Sequence, residues 1–399
     1  MTDIPPYWDD TSRREFEVSI ESVEKINDNY HVRIGEDVIR PAGGGQAGER
    51  GSLTVGNTCV SVKDTISDLE GTVLVADGYV DQGEMGHLNI DMKWRISLMR
   101  NHTAEHLFVS IINKKHVIKV GELWIDGKYG SVEILGADLT LENILEAELE
   151  VMQAIERNLP VESSFVDSNS LDSSVRSRDG LAQKHDRLRI VRVGEMDSSA
   201  CSGIHVEQTG DIGFFKVIDV KSGEKRTRVE FMAGMNAALH VFSVYNAALA
   251  RKYSYPFEME QLGPVLDRAK IAIEDKQMMI EKIVQMVSEG PSVIEIGNVN
   301  FRSEFLPGFD AGSLRVLSNQ LKVSGPTIIL LFGSGQKSQV ILRVNAVHHE
   351  AAHYISSVVK KLGGKGGGKG EVFTGGFVDV SEPNALYEEL VEYVRKQIS

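Results

Sequence analysis

The chain is poor in cysteine, with two among 399 residues, at positions 59 and 201. Two thiols so far apart cannot build a disulfide framework. That excludes the small stapled scaffolds of oxidising compartments and fits a reducing one. Positive charge is also scarce: 43 Lys and Arg face 57 Asp and Glu, a net charge of −14. This balance excludes indiscriminate nucleic-acid binding, though not a local basic face. No apolar run is long enough to span a bilayer. The stretch Met1 to Asp10 is acidic and lacks the apolar core of a signal peptide, so the expected location is cytoplasmic. With 42% apolar and 25% charged residues the composition is that of a soluble globular protein, and the length suggests about two to four domains.

What the chain does have is two short segments rich in metal-binding side chains. His102-Thr103-Ala104-Glu105-His106 and Cys201-Ser202-Gly203-Ile204-His205 each place two such residues four positions apart. Together they supply three imidazoles and one thiolate, a ligand set for tetrahedral zinc. Residues four apart on a helix share a face. The run from about Ser97 to His116 reads as that helix: Leu98, Met99, Leu107, Ile111 and Ile112 form an apolar stripe unbroken by Gly or Pro. Asp197 to Gly203 is rich in turn formers and reads as a loop that brings Cys201 and His205 to the helix.

Read along its length, the chain divides into four parts. Residues 1–95 read as a small β-barrel, since Phe16, Val18 and Ile20 alternate with polar residues, as do Tyr30, Val32 and Ile34. Further short runs follow at 60–62 and 73–75. Within it lies a glycine-rich loop from Pro41 to Gly51, either a close approach of backbone to a ligand or a plain hairpin turn. Residues 96–235 read as an α+β module. Its second helix, about 141–157, takes Thr140 as N-cap and should bury Leu141, Ile144, Leu145, Leu149, Met152 and Ile155, with Pro160 beyond its end. Strands are expected at 188–193, 212–220 and 226–231. Residues 236–290 read as a helical connector in which Leu266, Ile273, Ile280 and Val287 recur every seven, between Pro264 and Gly290. That face either pairs two copies of the chain or packs on its own chain. Residues 291–399 read as a separate α/β domain with strands at 293–296, 327–332, 339–343 and 372–380. Helices are expected at about 349–362 and after Ser381. The run Gly363 to Gly370, carrying Lys365 and Lys369, suits phosphate or a flexible linker equally.

At these residues the chain resembles the AlaX proteins, freestanding relatives of the alanyl-tRNA synthetase editing domain. The resemblance rests on the paired HxxxH and CxxxH motifs, on Gly43-Gly44-Gly45-Gln46, on Val206 to Gly213 and on Arg226 to Gly234. The Gly/Lys run, with Gly375 and Gly376 after it, resembles the C-terminal DHH-associated domain of alanyl-tRNA synthetase. The long AlaX form is therefore implied: an α+β multidomain chain of N-terminal barrel, zinc editing domain, helical connector and C-terminal DHH-associated-like α/β domain. The synthetase's ATP-using domain has no counterpart, so amino-acid activation is not expected. Three positions depart from the family pattern: Ile204 stands for Thr, Ala47 for Pro, and Glu105 for a small hydroxyl residue.

The resemblance implies a trans-editing hydrolase, a zinc-containing aminoacyl-tRNA deacylase acting on mischarged tRNA(Ala), with Ser-tRNA(Ala) first and Gly-tRNA(Ala) second. His102, His106, Cys201 and His205 would hold one zinc per chain. Thr103 and Gln46 are candidates for contacting the amino acid. Glu105 is a candidate for ordering the attacking water or taking its proton, the alternative being a carboxylate that merely supports the metal. Lys225, Arg226 and Arg228, flanked by Lys216 and Lys221, with Lys365 and Lys369 further on, are the candidate tRNA contacts. A homodimer would form through the connector or the C-terminal domain. Two rivals stand beside this reading. One is a tRNA-binding module in which zinc only stabilises the fold. The other is a zinc peptidase of HxxEH type, which would need an open metal position that Cys201 and His205 fill.

Overall fold

The computed structural model describes residues 4–172, 175–177, 186–253, 257–290, 293–335 and 337–399, without the side chains of 287–289. It forms two compact units, Met1–Ala247 and Ala248–Ser399.

The first unit begins with a single-turn helix, α1 (Pro6–Asp9). Six strands follow: β1 (Glu15–Ile26), β2 (Asn29–Ile34), β3 (Gly51–Val55), β4 (Thr58–Asp68), β5 (Gly71–Ala76) and β6 (Met85–Ile90). They close into an antiparallel barrel in the order β1-β2-β5-β4-β3-β6. The alternation in the sequence is what closes it. Phe16, Val18, Ile20, Val32, Leu53, Leu74 and Leu88 point inward and fill a barrel too narrow to hold a channel.

Asp91 then caps helix α2 (Met92–Lys115), accepting from the backbone N–H groups of Lys93 and Trp94. Every residue of this helix from Asn101 to Ile112 is buried. Such a helix must be covered on all sides, and two sheets and a second helix do so. The chain continues through β7 (Lys119–Ile125), β8 (Gly130–Leu135), α3 (Leu141–Glu156), β9 (Val161–Asp167), β10 (Arg187–Val193), β11 (Asp197–Ala200), β12 (Phe215–Gly223), β13 (Arg226–Ala233) and α4 (Gly234–Lys252). One sheet runs β12-β13-β8-β7, the other β11-β10-β9, and α2 touches both. Phe108, Phe215 and Phe231 pack around one another between helix and sheet, with centroids 5.4–6.4 Å apart.

Helix α3 starts where expected. Thr140 accepts from the Asn143 N–H while the Asn143 side chain accepts from Thr140, a reciprocal cap. Its buried face is rotated from the expected one. Ile144, Ala147, Glu148, Val151, Ala154 and Ile155 are inside, whereas Leu141, Leu145 and Leu149 are exposed. The inward face is kept by Glu148, which accepts from the Val217 N–H and from Lys216 Nζ.

The second unit holds α5 (Leu262–Glu289), β14 (Val293–Ile296), β15 (Val299–Pro307), α6 (Ala311–Gln320), β16 (Thr327–Ser334), β17 (Ser338–Asn345), α7 (Ala351–Lys361), β18 (Lys365–Gly367), β19 (Val372–Phe377) and α8 (Pro383–Ile398). Its sheet runs β14-β15-β16-β17-β19-β18, with only β15 and β16 parallel. Helices α7 and α8 bury Tyr354, Ile355, Leu390 and Val394 against one face. Leu314 of α6, with Met279 and Met286 of α5, packs on the other. β16 is covered on both faces, which explains its unbroken Ile-Ile-Leu-Leu-Phe run.

Three expectations change here. β15 and α6 were not foreseen. The helical connector is two helices, α4 and α5, with residues 254–256 outside the described set. Of the sevenfold repeat, Leu266, Ile273 and Ile280 are exposed, and the Val287 side chain lies outside the described residues. The Gly/Lys run is neither linker nor free loop. Its centre is β18, so close to β19 that a Cβ at Gly366 would lie 2.6 Å from the Thr374 carbonyl oxygen.

Candidate metal centre

The i, i+4 spacing on α2 and the segment after β11 bring His102, His106, Cys201 and His205 together as expected. Their four ligand atoms lie within 4.8 Å of one another and could hold a metal ion. Cys201 Sγ is 3.4 Å from both His102 Nε2 and His205 Nε2. Half of the segment read as loop is strand, since Asp197 to Ala200 pair with β10. Only the portion after Ala200 is irregular, and Gly203 lets it approach α2. A Cβ there would fall 2.0 Å from His102 Cε1 and 2.7 Å from Gln46 Oε1.

Each imidazole is oriented by a partner on its far nitrogen. His106 Nδ1 donates to Asp197 Oδ2 at 2.8 Å, and His102 Nδ1 to Gln46 Oε1 at 2.6 Å. The Gln46 oxygen also accepts from the Ile204 N–H at 3.2 Å, which fixes how the amide is turned. Thr103 Oγ1 donates its one proton to the Met99 carbonyl at 2.9 Å and accepts from the Val206 N–H at 3.2 Å. His205 Nδ1, 3.2 Å from that oxygen, must therefore be its donor. All three rings thus carry Nδ1–H and turn Nε2 toward Cys201, the nitrogen a metal-binding imidazole uses once that atom is free of a proton. With its hydroxyl committed to three partners and no exposed surface, Thr103 supports His205; it is not a free group facing a substrate.

The charges agree. Burial would raise the Cys201 thiol, yet His102 and His205 hold it well below its ordinary value. Burial would lower His106, but the hydrogen bond to Asp197 and the adjacent Cys201 push it up to about 10. Burial, with His102 beside it, holds His205 well below its ordinary value. Glu105 Oε1 and Gln46 Nε2, beside the cluster, are among the buried polar atoms that have no hydrogen-bond partner among the described residues. Glu105 Oε2 is 4.0 Å from His106 Nε2, and Arg176 Nη1 is 3.8 Å from Oε1.

The glycine-rich segment is a turn that presents Gln46. Gly43 and Gln46 bridge, Gly44 and Gly45 take φ of 63° and 89°, and a Cβ at Gly45 would meet the Leu123 carbonyl oxygen at 2.7 Å. Ala47 donates its N–H to the Ile125 carbonyl at 2.8 Å, a bond proline could not make. Ile204 is buried in the apolar core, its side chain among carbon atoms.

The other expected residues lie elsewhere. Lys225, Arg226 and Arg228 are at the β12–β13 turn and along β13, and Lys365 and Lys369 are exposed in the second unit. The cations beside β13 are largely neutralised: Arg226 pairs with Glu133, Arg228 with Glu122, Lys216 with Glu148 and Lys221 with Asp219. Sequence reasoning missed Asp197, Arg176, Arg40, Arg189 and Trp8. Arg40 donates to the Ser202, Pro41 and Gly43 carbonyls. Arg189 donates to those of Cys201 and Gly203, and Trp8 Nε1 to that of Ser202. No spacing rule signals such partners.

Residues 188–230, which include Cys201 and His205, match the family model described as the threonyl and alanyl tRNA synthetase second additional domain. The chain is 25% identical to the alanyl-tRNA editing protein AlaX-L of Pyrococcus horikoshii, over 98% of each chain. It is 28% identical to the alanine–tRNA ligase of Polaromonas naphthalenivorans, over 89% of this chain and 43% of the ligase. With the ligase of Carboxydothermus hydrogenoformans the identity is 26%, over 95% of this chain and 46% of the ligase. The chain therefore spans under half the length of these ligases.

Proposed function

We propose that this chain, similar along nearly its whole length to the AlaX editing proteins, is a trans-editing hydrolase: a zinc-containing aminoacyl-tRNA deacylase that strips a wrong amino acid from tRNA(Ala). Ser-tRNA(Ala) is the first substrate and Gly-tRNA(Ala) the second. The carrying observation is that Glu105 Oε1 and Gln46 Nε2, both buried and without a hydrogen bond among the described residues, flank the four ligand atoms. Buried polar atoms without partners are costly, and a substrate or water that completes them explains their retention.

Zinc, one per chain, is the proposed ion. With Zn–S near 2.3 Å and Zn–N near 2.0–2.1 Å, a regular tetrahedron has S···N edges of about 3.5 Å. The two Sγ to Nε2 separations of 3.4 Å fit that figure. When bound, zinc would polarise an ester carbonyl or lower the pKa of a nearby water.

The remaining chemistry belongs to the chain. In hydrolysis the water oxygen bonds to the acyl carbon, the bond to the ribose oxygen breaks, and that oxygen takes up a proton. Glu105 is the group that accepts the water's proton and returns it to the ribose. Gln46 Nε2 donates to the hydroxyl of a seryl group. Alanine would leave that donor unpaired, so correctly charged Ala-tRNA(Ala) is spared by a polar test that size alone cannot provide.

A panel of Ser-, Gly- and Ala-tRNA(Ala) deacylation assays tests the proposal. Glu105→Gln and Cys201→Ala should abolish release of serine while tRNA binding is largely kept. Release by the unaltered protein no faster than the spontaneous rate would sink it. The filled ligand set favours one second reading, a non-catalytic zinc-stabilised tRNA-binding module. In that case Cys201→Ala lowers stability and tRNA binding, and there is no turnover to lose.

Three further assignments belong to this proposal. Lys225, Arg226, Arg228, Lys365 and Lys369 contact the tRNA body. The four-part division at 95, 235 and 290 describes barrel, editing, connector and C-terminal functions. A homodimer through the connector is supported by the exposed apolar residues Leu266, Ile273 and Ile280 on α5.

A further inference from the structure

We infer that Trp8, Phe165, Arg187 and Arg189 form a receptor for the single-stranded 3′ end of an RNA, beside the metal ligands. This rests on the deacylase reading and says which surface brings the ester to the centre.

The argument starts from β10. Arg187 and Arg189 are alternate residues of this strand, so they share one face, while Leu188, between them, and Ile190, after them, are buried on the other. Across the ladder Arg189 is in register with Phe165 of β9, and Arg187 with Asp167. The Arg187 guanidinium lies 5.4 Å from the Phe165 ring centroid, and that of Arg189 lies 5.2 Å from Trp8. The Trp8 and Phe165 rings are 6.0 Å apart and tilted by 57°. Both rings are half-buried. Two aromatic rings interleaved with two guanidiniums make the platform that single-stranded nucleic acids use, bases stacking on rings and phosphates meeting cations.

The position is as informative as the composition. Trp8 Nε1 donates to the Ser202 carbonyl at 3.1 Å, and Arg189 Nη1 to the Cys201 and Gly203 carbonyls at 3.2 and 2.8 Å. The platform is thereby fastened to the segment that carries two of the four ligands. An ester on the last ribose can reach the ligands only if the terminal nucleotides lie next to them.

Charge singles out this surface over the more obvious basic stretch. Arg226, Arg228, Lys216 and Lys221 each have a carboxylate partner. Among the described residues Arg187 and Arg189 form no ion pair; Arg187 is exposed, while Arg189 gives its N–H groups to the Cys201 and Gly203 carbonyls. Arg187 therefore leaves positive charge free on this face of an acidic chain, where a phosphate can use it.

The test uses the full-length zinc-loaded protein and a fluorescent single-stranded RNA ending in CCA-3′, with a blunt duplex as comparison. Anisotropy should show binding of the single strand and weaker binding of the duplex. Arg187→Ala and Trp8→Leu should each weaken it about tenfold, the scale of losing one stacked base or one phosphate contact. Trp8→Phe keeps a ring and should restore most of the affinity, at unchanged zinc content. In deacylation of Ser-tRNA(Ala), the same variants should raise KM with kcat largely kept. Equal affinity for the duplex, or variants with unaltered KM and oligonucleotide binding in a protein that does deacylate, would overturn this inference and leave the proposed function standing. Oligonucleotide binding that depends on Trp8 and Arg187 without any deacylation would do the reverse. If the protein neither binds the strand nor deacylates, both fail.

Discussion

Asp197 and His106 carry the clearest consequences at the scale of single residues. A carboxylate on the far nitrogen of a metal-binding imidazole fixes its tautomer and raises its basicity, and removing it typically costs about 10–100-fold in metal affinity. Asp197→Ala should therefore lose zinc to a chelator at correspondingly lower concentration, measured by competition titration. In the metal-free protein His106 is held up at about 10, while Cys201 is held well below its ordinary value. At pH 8 the His106 imidazole still carries its extra proton, so zinc uptake should release a proton from His106. Calorimetry in buffers of different ionisation enthalpy counts it; uptake with no proton released would contradict the assignment. The sign for folding follows. A raised His106 stabilises the metal-free protein fully below about pH 6.5, and that contribution is lost as pH rises through about 10. The four clustered side chains were legible as a set because each pair sits within one short segment. Their orienting partners were not: Gln46 is 56 positions from His102 and Asp197 is 91 from His106, and only the fold joins them.

At the scale of elements, α3 shows both the reach and the failure of periodicity. Its start was readable because a cap is local chemistry between Thr140 and Asn143. Thr140→Ala should lower stability by about 1 kcal/mol in urea unfolding. Its buried face was misread because Leu141, Leu145 and Leu149 make as regular a stripe as the one that is inside. The inner face contains two alanines and Glu148, which hydropathy undervalues and packing does not. The junction of α2 with the barrel is another matter of partners distant in sequence. Arg95 and Glu49 pair with both side chains wholly buried, and Arg95 also donates to the Arg13 carbonyl at 2.6 Å. Stripping one charge from such a pair strands the other, so Glu49→Ala should cost about 3–5 kcal/mol in the same measurement.

The whole molecule has two units, and the four residues that could hold a metal, with Gln46, Glu105 and Asp197, belong to the first. A chain ended after Lys252 should therefore still hold one zinc, read by elemental analysis of the purified fragment. Apolar alternation disclosed the barrel because its strands are half-buried, and β16 was visible as a continuous apolar run. β15 and α6 were missed since Arg302, Ser303 and Glu304 interrupt one and polar residues dominate the other. The glycine-rich run defeated composition altogether, because glycines chosen for tight strand packing read the same as glycines chosen for freedom.

That run has a consequence apart from any RNA. β18 is the outermost strand of its sheet, all three of its residues are exposed, and it opens with Lys365. A free border of this kind is a template on which another extended chain can add itself. Its brevity, its lack of apolar side chains and the ammonium group at its head make it a poor one. Lys365 thus also acts as a guard against fibre-like stacking, and a bulky apolar residue in its place would make the protein precipitate on storage before it failed at any reaction.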